Sequence, residues 1–172
     1  MLDTFLADTR VSTPLLVLRH ASAGDRGAWQ GEDRQRPLDA RGQWQARALV
    51  ALLAAYAVEA LTSPDVTRCR DTVAPYAQIA GLTVTVDARV GTDCADPTQG
   101  VEALVELAGR ASAVCSQREV IPTLVAGVCT RLGRPTLPND VGQVPRASVV
   151  ALHVAEDRRL VAREWLPAPG LA

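Results

Sequence analysis

Lysine is missing: all eighteen cationic residues are arginine, set against nineteen carboxylates for a net charge of −1. Without lysine there is no Walker-type phosphate loop, no Schiff-base amine and no Ser-Lys dyad. Near-neutrality removes the electrostatic footprint of a nucleic-acid binder or of a protein held to an anionic membrane, so neither partner is expected. The four cysteines, Cys69, Cys94, Cys115 and Cys129, form no C-x-x-C pair. No signal-peptide layout precedes them, and free thiols in a reducing cytoplasm are expected. Only two histidines occur, His20 and His153, far apart and with no cysteine pair to join them. No metal site and no other cofactor is expected on that basis. The G-x-S-x-G elbow of α/β-hydrolases does not occur. Six positions past the four cysteines stand Pro75, Gly100, Ile121 and Pro135. The arginine that a cysteine-dependent phosphatase needs there is absent. Aromatic residues are only 3% of the chain, so a core of Ala, Val and Leu is implied. The longest apolar run, 48–58, is too short to span a bilayer.

What is present is organised around Leu15-Leu16-Val17-Leu18-Arg19-His20-Ala21-Ser22. Four branched aliphatics after Pro14 read as a buried strand, with a cation and an imidazole at its carboxyl end. That edge is where open α/β sheets bind ligands. Residues 1–13 are expected as an N-terminal arm or linker remnant, and 14–172 as one domain. A long polar loop, 21–37, follows the strand, its Trp29, Arg26, Arg34 and Arg36 being candidates to line a pocket. Asp39 is a plausible N-cap for a helix to about Tyr56. Strands are expected at 58–62, 83–86 and 111–116, and helices at 66–80 (capped by Gly81), 101–109 and 120–132. Residues 91–100 read as loop and 134–146 as an irregular connection. The tail, 147–154 and 160–166, reads as a β-hairpin. Alternating strands and helices indicate an α/β three-layer sandwich with a mostly parallel central sheet.

The chemistry that survives the exclusions is a nucleophilic histidine among arginines. An imidazole nitrogen attacks phosphorus directly, splitting a transfer into two in-line steps. Phosphoryl oxygens carry charge throughout, and guanidinium supplies forked, always-charged donors matched to them. Arg19 and His20 adjoin at the strand end, and Arg68 opens the helix after the second strand. Ser116-Gln117-Arg118-Glu119 has the spacing of a capping box, though Pro122 argues against a helix that begins so early. His153, in an alternating strand, reads as structural, and Cys69 and Cys115 as small packing residues.

Three stretches carry a family resemblance. Leu-Val-Leu-Arg19-His20-Ala21 resembles the R-H-G strand motif of the histidine phosphatase (phosphoglycerate mutase-like) superfamily, with Ala for Gly. Arg36-Pro37-Leu38-Asp39-Ala40-Arg41-Gly42, running on to Gln45-Ala46, resembles its helix start. Thr62-Ser63-Pro64-Asp65-Val66-Thr67-Arg68-Cys69-Arg70-Asp71-Thr72 resembles its S-S-P segment, with one extra residue before the Arg and Asp for Gln. The small SixA-like phosphohistidine phosphatases are similar in kind. Residues 19–38 also resemble the histidine phosphatase half of two-domain bacterial MutT-type Nudix proteins, although no Nudix box is present.

The resemblance implies His20 as phosphoryl acceptor, Arg19 and Arg68 as phosphate clamps, and Ser22, Gln117 and Arg118 as further phosphate-binding positions. It departs at Gln117, where the family carries a second histidine. An amide still donates a hydrogen bond but carries no charge, a loss of a few kcal/mol or about two to three decades in rate. Arg118 restores that charge if it turns inward. The proton donor is left between a carboxylate in 87–96, such as Asp93 or Asp96, and Glu119. The implied substrate is a small phosphate ester, a nucleotide among the candidates, or a phosphohistidine. The alternative is a catalytically impaired phosphate- or nucleotide-binding module that partners a Nudix hydrolase.

Overall fold

A computed structural model describes residues 12–170. Six strands form one sheet in the order β3-β2-β4-β1-β5-β6. They are β1 (Ser12–Arg19), β2 (Ala60–Ser63), β3 (Val84–Val86), β4 (Ser112–Ser116), β5 (Val149–Ala155) and β6 (Leu160–Leu166). The first four run parallel, while β5 and β6 form the expected antiparallel hairpin against β1. The helices are α1 (Ala40–Ala55), α2 (Thr67–Ala80), α3 (Pro97–Leu107), α4 (Ile121–Arg131) and the short α5 (Pro138–Val141). Strand β1 shows why the apolar run is continuous. Leu16 and Leu18 face the cluster shared with α1 and α2, and Leu15 and Val17 the cluster shared with α3 and α4. Side chains alternate across a strand, so a strand covered on both faces reads apolar at every position. The three-layer sandwich is as expected. No helix among the described residues is long and apolar enough to cross a membrane.

The starts of two elements differ from expectation. Strand β1 starts at Ser12, because residues 12 and 13 pair with Ala155 and Val154; the rest of the expected arm, 1–11, lies outside the described residues. Helix α3 begins at Pro97, inside the expected 91–100 loop, because Asp96 caps it by accepting from Thr98 N (2.9 Å). Proline at the first turn loses no hydrogen bond there. As Pro122 implies, residues 116–119 form no capping box: Val120 is the N-cap of α4 and offers no side-chain acceptor. The loop 21–37 holds two single 3-10 turns, Arg26–Ala28 and Asp33–Gln35, and α5 interrupts the 134–146 connection.

Because β1, β2 and β4 are parallel, their carboxyl ends share one edge of the sheet, and the residues that follow each strand are gathered there. His20 N donates to Ser116 O (3.0 Å) and extends the ladder one residue past β1. On the other side Ala147 N donates to Arg19 O (3.1 Å), with Ala147 held at φ 61°. The left-handed region costs an L-residue about 1 kcal/mol or more, so this turn is imposed by its surroundings. The chain leaving β1 is clamped to the start of α1. Asp39 accepts from Gly42 N (2.7 Å), Gly24 N (2.7 Å) and Ser22 Oγ (2.7 Å). A Cβ at Gly42 would lie 1.8 Å from Ser22 O, so only glycine permits this approach. Gly42→Ala is therefore expected to lower stability by roughly 3 kcal/mol, the upper range of overpacking changes, as read from its denaturant midpoint.

Candidate active site

His20 is 7% exposed. Its Nδ1 lies 2.7 Å from Ala21 O. A carbonyl only accepts, so Nδ1 carries the proton and Nε2 keeps the lone pair. Arg68 Nε donates to that Nε2 at 3.3 Å. Burial is the main reason the imidazole's pKa falls from 6.5 to about 4. The charges of Arg68, Arg19 and Arg146 push the same way, and the Ala21 hydrogen bond opposes them. His20 is thus a neutral imidazole at pH 7, with a defined tautomer and its free nitrogen turned toward a guanidinium.

Arg68, 5% exposed, sits in the first turn of α2. Its Nη1 donates to Asp33 O (2.6 Å) and its Nη2 to Asp33 Oδ2 (3.0 Å). Asp33 also binds Arg36 Nε (3.0 Å), and Arg36 reaches back to Ala23 O (2.7 Å). Against the upward push of burial, hydrogen bonding to Arg36 and the charges of Arg68, Arg36 and Arg26 hold the Asp33 carboxyl below its usual range. Thr72, one turn after Arg68, accepts from Ala21 N (2.9 Å) and donates to Arg68 O (2.7 Å). The two elements that supply His20 and Arg68 are thereby tied by one hydroxyl. Asp33 and Thr72 were not singled out from sequence; the threonine falls within the S-S-P resemblance, but Asp33 has only loop neighbours in sequence to recommend it.

Arg19 reaches past the strand end, its Nη1 donating to Val144 O (3.0 Å), while its buried Nε has no partner. Burial and then Arg118 and Arg146 pull its pKa down. Ser22 lines the same edge, but its hydroxyl proton goes to Asp39 and its oxygen accepts from Arg146 (3.3 Å). Gln117, at the end of β4, is buried, its Oε1 accepting from Thr92 N (3.1 Å) and its Nε2 donating to Thr92 Oγ1 (2.9 Å). An amide has two N–H donors, and one remains. Arg118 does not turn inward: its side chain is 58% exposed and pairs with Glu119 at 3.6 Å.

The carboxylates weighed as proton donor fare differently. Glu119 is exposed beside Arg118. Asp87 caps a turn and binds Arg89 (2.7 Å), and Asp96 caps α3. Asp93 is exposed, next to the Thr92 that holds Gln117. Trp29 does not line the cleft beside Arg19: its indole N–H closes its own loop on Glu32 O (3.0 Å). Arg34 pairs with Asp65. His153 joins Glu164 (2.6 Å) near Tyr56, linking the hairpin to α1, a structural position. All four cysteines are free, and the fully buried Cys115 thiol is pushed well up, by burial first and then by Cys69.

Residues 15–91 match the histidine phosphatase superfamily (branch 1). The 8-oxo-(d)GTP phosphatase of Mycolicibacterium smegmatis is 35% identical over 159 residues, covering 90% of this chain and 48% of that protein. The chain therefore spans about half the length of this curated relative. Among solved structures, the protein histidine phosphatase SixA complexed with tungstate superposes with a TM-score of 0.71 at 18% identity, covering 91% of this chain and 97% of that one. SixA from Agrobacterium tumefaciens gives 0.68 at 18%, covering 92% and 99%. A mycobacterial hydrolase gives 0.70 at 17%, covering 92% and 100%. At these identities the likeness is one of fold.

Burial of a neutral histidine has a thermodynamic signature. The unfolded state takes up a proton near pH 6.5 and the folded state only near 4. The unfolded state thus binds more protons in that window, and stability falls as pH drops through it. The contribution is complete above pH 6.5 and amounts to on the order of 3 kcal/mol by the time pH 4 is reached. His20→Ala is expected to flatten this part of the pH dependence of the denaturation midpoint.

Proposed function

We propose that the chain, whose residues 15–91 match the histidine phosphatase superfamily, is a phosphohydrolase of that kind that works through a phosphorylated His20. The observation that carries this reading is the buried, neutral imidazole whose Nε2 lone pair faces Arg68 at 3.3 Å. In the first step Nε2 attacks phosphorus, a P–N bond forms, and the P–O bond to the leaving group breaks. In the second, water attacks the phosphohistidine, the P–N bond breaks, and phosphate leaves. Arg68 and Arg19 neutralise charge on the equatorial oxygens. Asp33 positions Arg68 by taking two of its N–H groups and leaving the rest of the fork for phosphate. The Arg19 Nε without a partner is a donor that a phosphoryl oxygen satisfies once the side chain adjusts to it. Gln117 supplies its remaining amide N–H.

Two names lend support: a phosphatase at 35% identity and SixA, a protein histidine phosphatase, in fold. A nucleotide is one substrate class consistent with the first. The second reading, a phosphate-binding module acting beside a Nudix hydrolase, is favoured by one observation. Gln117 is committed to Thr92 through both ends of its amide.

The test is a rapid-quench burst with 4-nitrophenyl phosphate. The wild type is expected to give a burst and an acid-labile, alkali-stable phosphoprotein, both absent from His20→Ala. Arg68→Gln should retain His20 phosphorylation while slowing it by two to three decades, the loss expected of one charge-assisted donor. Phosphate that raises the melting temperature, with no phosphoprotein and no turnover, would instead establish the binding module.

A further inference from the structure

Beside Arg19 the structure has a cleft of about 560 Å³ lined by Arg19, Ser22, Arg41, Trp44, Gln45 and Arg146, and closed by Pro145 and residues 168–170. Among the described residues no carboxylate lines it. Elsewhere ten arginines of this chain are neutralised: Arg26, Arg34, Arg36, Arg68, Arg70, Arg89, Arg110, Arg118, Arg131 and Arg159 pair with Asp or Glu. Among the described residues Arg47, Arg134, Arg158 and Arg163 also lack such a pair, but Arg19, Arg41 and Arg146 converge on one cavity. Like charges so gathered repel one another, and an anion in their midst relieves the repulsion. Arg146 is directed there by the strained turn at Ala147 and by its contact with Ser22 Oγ at 3.3 Å. Its charge also reaches His20. Trp44, half-buried on α1, adds one aromatic surface to the same wall.

A second line of argument concerns the leaving group. Two carboxylates approach the site, Asp33 and Asp39, and both are held below the usual carboxylate range. For Asp33 the Arg36 hydrogen bond and the charges of Arg68, Arg36 and Arg26 outweigh burial. For Asp39 the bonds from Gly42 N, Ser22 and Gly24 N do so. Neither holds a proton at pH 7. A leaving oxygen that needs no proton is therefore favoured, and phosphate, with its second pKa near 6, is such a group.

We propose that the cleft of Arg41, Arg146 and Trp44 is a subsite for the leaving phosphate and ring of a ring-bearing diphosphate, of which a nucleoside diphosphate is the simplest. This rests on the phosphatase reading given above. His20 Nε2 takes the terminal phosphoryl group, the bond from its phosphorus to the bridging oxygen breaks, and the monophosphate departs with that electron pair. Arg41 and Arg146 hold the departing phosphate while the ring lies against Trp44. Water then cleaves the P–N bond.

The test compares kcat/KM for ADP with that for 4-nitrophenyl phosphate, an ester whose leaving group also needs no acid but carries no second phosphate. In Arg41→Gln/Arg146→Gln the ratio of ADP to aryl phosphate is expected to fall at least tenfold, and in Trp44→Leu at least threefold. Circular dichroism should show both variants folded. A ratio within twofold of wild type in the arginine variant overturns the subsite while leaving the phosphatase reading intact. Failure of the wild type to turn over aryl phosphate or ADP overturns that reading, and calorimetry with the non-hydrolysable α,β-methylene-ADP then decides the subsite. Affinity at least tenfold weaker in the arginine variant supports it; equal affinity, or no binding to wild type, overturns it.

Discussion

The 2.7 Å hydrogen bond from His20 Nδ1 to Ala21 O decides which nitrogen of a buried imidazole carries a lone pair. Everything around it holds that bond in place. Ala21 can present its carbonyl to the ring only because its own N–H is anchored on Thr72 Oγ1. Thr72 in turn is fixed by its back-bond to Arg68 O. The residue that orients the imidazole and the residue that faces it are therefore linked through one side chain of α2. The sheet supplies the frame: β1 lies between parallel β4 and antiparallel β5, and ladder bonds continue past its last residue on both sides.

Charge is arranged around this frame with a consistent logic. Two carboxylates serve positioning: Asp33 aligns Arg68 and Arg36, and Asp39 gathers the chain after β1 onto the first turn of α1. Each is kept ionised by its donors and so is suited to holding geometry rather than to giving up a proton. Three of the cations left without carboxylates, Arg19, Arg41 and Arg146, face the cleft. Net charge near zero over the whole chain conceals this local excess, because a sum over residues carries no information about where they converge.

The parts of the site legible in sequence are those whose information is local. A short aliphatic run ending in Arg19-His20 announces a strand and its carboxyl end, and Gly81 marks the end of α2 through its left-handed φ of 67°. Arg68 was legible because it follows a strand-turn-helix junction at short range. Asp33, Trp44 and Arg146 were not. Asp33 lies in a polar loop whose single 3-10 turns leave no periodicity to read, and Arg146 ends an irregular connection whose path is set by Ala147 folding back on β1. Trp44 shows the opposite difficulty: at helical spacing it reads as core, and only the packing of the C-terminal residues across from it reveals a cleft. The start of α3 was misplaced because Pro97 reads as a loop residue unless the Asp96 cap before it is weighed first.

Gln117 bears most directly on the charge at this sheet edge. His20 already lies within the influence of Arg68, Arg19 and Arg146, all of which disfavour its protonation. An imidazolium at position 117 would add a further cation at the same sheet edge, whereas an amide adds a donor without a charge. The amide also ties the end of β4 to Thr92, fixing the loop that leads from β3 toward α3. What an amide does not supply is electrostatic stabilisation of charge on a transferred group. The outward-facing Arg118 does not restore it from the next position, since its head lies in solvent beside Glu119. Of the unpaired guanidiniums lining the cleft, Arg41 and Arg146 lie on the leaving-group side in the proposed geometry, and Arg19 beside the transferred group. Cation density is thus low at the end of β4 and high in the cleft beside β1. That distribution favours substrates that bring negative charge on both sides of the scissile bond over simple esters that bring it on one.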